Sequence, residues 1–260
     1  MKHSFIDQYS DRDSLIHRLD PRTKFLTTLF LILAVVVTPP NTWPAFALYF
    51  LLVATLILLS KVPVFYVLKR SLVIMPFVLM IAIFVPFFKE GEVAGSYNLW
   101  LWQVSVTYNG LQVLMNIVIK AWLSILSLIL LTSTTKVSSL LRALEQLHLP
   151  RVMVMILSFM YRYLFVLVDE TMRMKQARDS RNFGGGRLWQ VRTISNMVGT
   201  LFIRSYERGE RVYAAMVARG FDGQVRTLDR LNFKRLDACF GISLSLIIIL
   251  TSVISLLVLS

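Results

Sequence analysis

The sequence predicts an all-α membrane protein of about five transmembrane helices carrying a cytoplasmic arm of long helices. Hydrophobic residues make up 56% of the 260, and they gather in runs of about 20, the length that crosses a bilayer core. The formal net charge is +13, which in a membrane protein marks the cytoplasmic face. That charge is unevenly placed: residues 169–235 hold 14 Lys or Arg against 7 Asp or Glu. A soluble enzyme, a disordered tail and a disulfide-stapled secreted domain are excluded, the last because Cys239 has no second cysteine to pair with.

The N-terminal segment, residues 1–20, carries Asp7, Asp11, Asp13 and Asp20, which does not suit the short basic start of a cleavable leader. The first apolar run, Phe25 to Thr38, follows Asp20-Pro21-Arg22. There Asp20 can cap a helix and Pro21 can occupy its first turn without losing a useful donor. Pro39-Pro40 stops it. Further runs read Trp43 to Ser60, Ser71 to Phe88 with Pro76 and Pro86 inside, Leu111 to Thr132 around Lys120, and about Leu236 to the C-terminus. Val152 to Val168 is a sixth apolar stretch of short spanning length with Arg162 inside it.

Charge sets the direction. Lys2, Arg12, Arg18, Arg22 and Lys24 precede or open the first run, and Lys61, Lys69 and Arg70 follow the second. The connection after the first run is uncharged, so the N-terminus is expected in the cytoplasm. Four spans then return the chain to that side. Both flanks of Val152 to Val168 are basic, so this stretch is read as a buried cytoplasmic helix; six spans with the basic arm outside would break the positive-inside rule. The expected organisation is a cytoplasmic segment 1–20, a four-helix membrane part 21–135, a cytoplasmic arm 136–235 and a last transmembrane helix 236–260. Within the arm, Ser138 to Leu147 has helical apolar spacing ended by Pro150, a long helix runs from Val152 to Asn182, and a third runs from about Trp189 to Arg219 before Gly220.

Catalytic and metal sites find no support. His3, His17 and His148 stand far apart, no acidic pair lies inside a span, and no cofactor is implied. Gly184-Gly185-Gly186 lacks the Lys-Ser/Thr of a phosphate-cradling loop, so any ATP must be hydrolysed by partner subunits. In the fourth span Asn116, Lys120, Ser124 and Ser127 form a polar stripe. It is a possible contact for a membrane partner; the alternatives are a snorkelling lysine beside helix-packing serines, or the path of a stand-alone channel or carrier.

The informative pattern is a pair of helix ends. Ser180-Arg181-Asn182-Phe183-Gly184 and Ala218-Arg219-Gly220-Phe221-Asp222-Gly223 align 38 residues apart. Each sets an arginine in a last helical turn, where a cation opposes the helix dipole, ahead of a residue that tolerates the left-handed conformation. Arginine then glycine is ordinary capping when it occurs once. Two copies, each with a following Phe, suit two equivalent pockets, where a guanidinium can bond a carboxylate in a bidentate way.

Together with Ser14 to Lys24, Leu141-Arg142-Ala143-Leu144, Leu149-Pro150-Arg151, Tyr161-Arg162-Tyr163-Leu164 and Arg173 to Arg181, these residues resemble the transmembrane T component of energy-coupling factor (ECF) transporters, in the CbiQ branch associated with cobalt uptake. The resemblance covers nearly the whole chain. It implies a scaffold that joins two cytoplasmic ATPase subunits to a separate substrate-binding membrane subunit, with no nucleic-acid partner. It also implies that Ala218-Arg219-Gly220 and Ser180-Arg181-Asn182 sit in the ATPase grooves, although the second keeps only the arginine of an Ala-Arg-Gly motif. A nickel or vitamin importer would share this architecture.

Overall fold

The computed structural model describes residues 9–10, 12–40, 42–88, 93–99, 102–181, 186–223 and 233–257. The chain divides into two compact units, one of residues 4–143 with 231–260, the other within 144–230.

In the first unit, α1 (Pro21–Val37) starts as expected: an Asp20 carboxylate oxygen accepts from the Arg22 N–H at 2.9 Å, and Pro21 takes the first position. Helix α2 (Trp43–Ser60) ends at Lys61, whose φ of 55° is left-handed. Helix α3 (Val64–Ala82) corrects the expected third run at both ends. It begins seven residues before Ser71, directly after Pro63, so Lys69 and Arg70 are helical rather than part of a connection, and Arg70 donates to the Tyr66 hydroxyl at 2.8 Å. It stops at Ala82 because the Pro86 ring would clash with the carbonyl four residues back. A short helix, α4 (Val85–Phe88), follows the break.

Strands β1 (Val93–Leu99) and β2 (Trp102–Thr107) then pair antiparallel, with Ser96 opposite Ser105. This hairpin was not anticipated. It leads into α5 (Tyr108–Thr134), whose first turn packs on α4: a Cβ at Gly110 would lie 2.6 Å from the Pro86 Cα, so only glycine fits. Helix α9 (Arg235–Leu257) returns against α1 and α2. The core joins Leu31 and Val35 of α1, Tyr49 and Val53 of α2, Leu123 and Leu126 of α5, and Ile248 of α9. Outward positions are equally apolar, with Leu72, Phe77 and Ile81 of α3 and Leu246 and Leu250 of α9 exposed. That inside-and-outside hydrophobicity is what a lipid solvent requires.

Helix α6 (Val137–Gln146) crosses the boundary between the units. It ends in a Schellman turn, with Leu149 N–H on the Leu144 carbonyl, His148 N–H on the Glu145 carbonyl, and His148 itself at φ 69°. The second unit holds α7 (Arg151–Ser180) and α8 (Arg187–Val217), joined by an ion pair between Glu170 and Arg204.

Among the described residues five helices are long and apolar enough to cross a membrane: α2, α3, α5, α7 and α9. The number is the expected one, but the membership differs. Helix α1 has 17 residues and falls just short, although at 1.5 Å per residue it still covers about 26 Å. Helix α7 enters through its apolar first half.

Candidate functional site

Both paired helix ends fall in the second unit. At the end of α8, the Phe221 N–H bonds the Met216 carbonyl at 3.1 Å and the Gly220 N–H bonds the Val217 carbonyl at 3.0 Å, a Schellman pattern with Gly220 at φ 78°. The turn holds Ala218 and Arg219 at the surface. At the end of α7, Arg181 lies just past Ser180, its N–H on the Arg178 carbonyl at 3.1 Å, and its side chain is exposed. Asn182, Phe183, Gly184 and Gly185 lie outside the described residues. Among the described residues neither the Arg181 nor the Arg219 guanidinium has a hydrogen-bond or ion-pair partner. Two long helices therefore each present an unengaged cation at a C-terminus.

The polar stripe of α5 is engaged within the chain. Lys120 Nζ donates to the Val36 carbonyl at 2.9 Å and the Thr38 carbonyl at 2.7 Å, the open end of α1. Asn116 donates to the Gln112 carbonyl at 3.0 Å and Ser124 to the Lys120 carbonyl at 2.8 Å. A cation at a helix C-terminus satisfies orphan carbonyls and opposes the dipole, so Lys120 acts as a cap supplied by a neighbouring helix.

One cluster was missed by sequence reasoning. Lys24, 5% exposed, donates to the carbonyls of His17 and Thr134, both at 3.1 Å. Asp237, 2% exposed, accepts from the backbone N–H of Asp20 at 2.9 Å and of Lys234 at 2.8 Å. The start of α1, the end of α5 and the start of α9 are thus tied at one end of the first unit. Arg12 adds the α2–α3 connection to that end by donating to the Lys61 carbonyl at 2.7 Å. No metal-holding group of three His, Cys, Asp or Glu occurs among the described residues.

The model of the CbiQ family, described as cobalt transport protein, matches residues 12–228. The chain belongs to the CbiQ family. It is similar to the protein named energy-coupling factor transporter transmembrane protein EcfT of Ruminiclostridium cellulolyticum, 31% identical over 89% of this chain and 90% of the relative. A relative of the same name from Listeria innocua is 31% identical over 95% of this chain and 96% of its own length. The resemblance to T components read from the residues is therefore correct. This CbiQ-family chain is a multi-pass membrane protein of a transport system and not itself an enzyme.

The N-terminal segment of the CbiQ-family chain holds a titratable group beside Lys24. His17 Nε2–H donates to the Tyr9 carbonyl at 3.0 Å, and Nδ1 accepts from the Ser14 hydroxyl at 2.7 Å. A neutral imidazole has one donor and one acceptor, and both are used. Burial lowers the His17 pKa below its ordinary 6.5; the Tyr9 carbonyl opposes this, and the charges of Lys24 and Arg12 reinforce it. The unfolded chain therefore takes up the proton first as pH falls. The stabilisation is complete above the ordinary value and is lost as pH drops through the lowered one. Thermal unfolding of the detergent-solubilised chain between about pH 8 and about pH 5 should show a falling midpoint, and His17→Gln should flatten that slope.

Proposed function

We propose that this chain is the coupling component of an ATP-driven ECF-type importer, in which two cytoplasmic ATPase subunits engage Ser180-Arg181-Asn182 and Ala218-Arg219-Gly220. One observation carries the reading: in a CbiQ-family chain, two long helices each end on an exposed arginine that has no partner of its own among the described residues. ATP-driven closure would displace these ends, and α7 and α8 would pass the displacement to a substrate-binding membrane subunit. Cobalt is the substrate favoured by the family's description. The apolar exposed residues Val152, Met153, Ile156 and Met160 of α7 support a greasy partner surface there.

The arm is placed in the cytoplasm. Charge supports this, because Arg12, Arg18, Lys61 and Lys234 belong to the end of the first unit that the Lys24 and Asp237 bonds draw together. In this topology α1, α2, α3, α5 and α9 cross the bilayer and α7 does not. Lys120 weighs against a stand-alone channel, since its ammonium is held on α1 carbonyls rather than offered to a path.

Affinity purification of the tagged chain from its native membrane, with mass spectrometry of what accompanies it, tests the assignment. The expected result is a pair of nucleotide-binding subunits and one further multi-pass protein. Recovery of the chain alone, with Co²⁺ flux through liposomes that contain no ATP, would sink it.

A further inference from the structure

We propose that Lys24 and Asp237 are positioning residues that carry the arm's displacement into the membrane helices. The inference rests on the coupling reading above and names the point where that motion enters the first unit.

Beyond Thr134, the last residue of α5, the chain continues through α6 and passes into the second unit after Ala143; it re-enters the first unit at residue 231, six residues before Asp237 in the first turn of α9. A displacement of the second unit reaches the end of α5 through α6 and the start of α9 through the segment that leads into it. Both are fixed to the start of α1: the Thr134 carbonyl accepts from Lys24 Nζ, and the Asp237 carboxylate accepts from the Asp20 N–H, 217 residues away in the chain. The second carboxylate oxygen takes the Lys234 N–H, which sits on the returning strand of chain itself. Bonds with an ionised partner are stronger than neutral ones, more so where water is excluded. Lys24, Asp20 and Asp237 are each at most 5% exposed. A pull on either link is thus shared at once by α1, α5 and α9.

The displacement also has a way onward. Helix α1 is held to α5 a second time, where Lys120 caps Val36 and Thr38. The two lysine contacts on α5, at residues 120 and 134, are about 20 Å apart at 1.5 Å per residue, so α1 and α5 move as one lever across most of the bilayer. The cluster borders a pocket: Lys24 and Thr134 help to wall it, and Leu31, Val53, Leu56 and Leu244 also line it. The hydroxyls of Ser133 and Thr135, which flank Thr134, are buried without a partner among the described residues and can take up bonds released by a shift.

The test uses the complex that co-purifies with this chain, reconstituted in liposomes, with Co²⁺ as the transported probe. Asp237→Asn keeps the shape but leaves a single, uncharged acceptor for the two N–H groups; Lys24→Met removes the donor; Lys24→Arg keeps the cation. Asp237→Asn and Lys24→Met should leave ATP hydrolysis per assembled complex near wild type while uptake per ATP falls about tenfold, and Lys24→Arg should recover most of it. An unchanged uptake-to-hydrolysis ratio in Asp237→Asn overturns the inference. So does a loss of uptake that only follows loss of assembled complex, because that is what a purely structural bond would produce. Run beside Arg181→Glu/Arg219→Glu, the failures separate: if the arginine variant still transports, the coupling reading has failed; if it is inactive while Asp237→Asn couples normally, only the present inference has.

Discussion

A chain carrying Arg181→Glu and Arg219→Glu together should no longer retain its ATPase partners on purification, and uptake by the complex should fall to background. An arginine that enters a groove and bonds a carboxylate there is desolvated on both sides, and breaking one such pair costs about 2–5 kcal/mol, because the remaining charge is left buried without a partner. Glutamate adds repulsion to that loss. Two reversals at separate sites sum to at least about 4 kcal/mol, roughly thousandfold in affinity. Single reversals should be partial and unequal: at Arg219 the following glycine holds a defined Schellman turn, whereas Arg181 has Ser180 and Asn182 where Arg219 has alanine and glycine. Arg211→Glu is the control. Arg211 is also on α8 and exposed, with a loose pair to Glu207 at 3.7 Å, and a surface pair of this kind contributes at most about 1 kcal/mol. It should leave assembly and uptake unchanged. Retention of the ATPases by the double variant would refute the assignment of both helix ends.

The largest expected loss of stability is at Tyr49. Its ring is fully buried at the junction of α1, α2, α5 and α9, and its hydroxyl lies 3.0 Å from the Ser252 hydroxyl of α9. Tyr49→Ala removes most of a ring from a close-packed centre and should cost about 3–5 kcal/mol, the range for aromatic-to-alanine changes in cores. Tyr49→Phe removes only an interhelical hydrogen bond, and such bonds within membranes average about 0.6 kcal/mol. Thermal unfolding in one detergent should therefore show a large drop for alanine and a small one for phenylalanine. Equal drops would mean that the hydroxyl, not the packing, holds α2 to α9.

Much of the helical plan could be read from local chemistry. Asp20 and Pro21 mark the start of α1 because capping and ring geometry act over two residues, and Pro150 and Gly220 mark the ends of arm helices for the same reason. The α3 boundary was misread because Lys69 and Arg70 look like a loop when charge alone is counted. In a helix near a membrane boundary such side chains reach outward, as Arg70 does toward Tyr66. The hairpin of β1 and β2 has no long apolar run to mark it, although Val104 and Val106 alternate as a strand should. The two arginine ends were legible because they repeat. The cluster around Lys24 was not, since two of its acceptors are main-chain carbonyls and its acid lies 217 residues from Asp20.

The pairing of α1 with α5 has a consequence for which mutations the protein can accept. Lys24 reaches Thr134 and Lys120 reaches Val36 and Thr38, and in each case the oxygen belongs to the backbone. Any residue at 36, 38 or 134 would supply the same oxygen, so side-chain substitution there leaves the pairing untouched. Insertion or deletion does not. One residue added between Lys24 and Val36, or between Lys120 and Thr134, would turn one end of its helix by about 100° relative to the other and shift it by 1.5 Å, and both lysines could not then reach their carbonyls together. As far as this pairing goes, the side chains at 36, 38 and 134 can vary, while the lengths of the two helices are bound to each other.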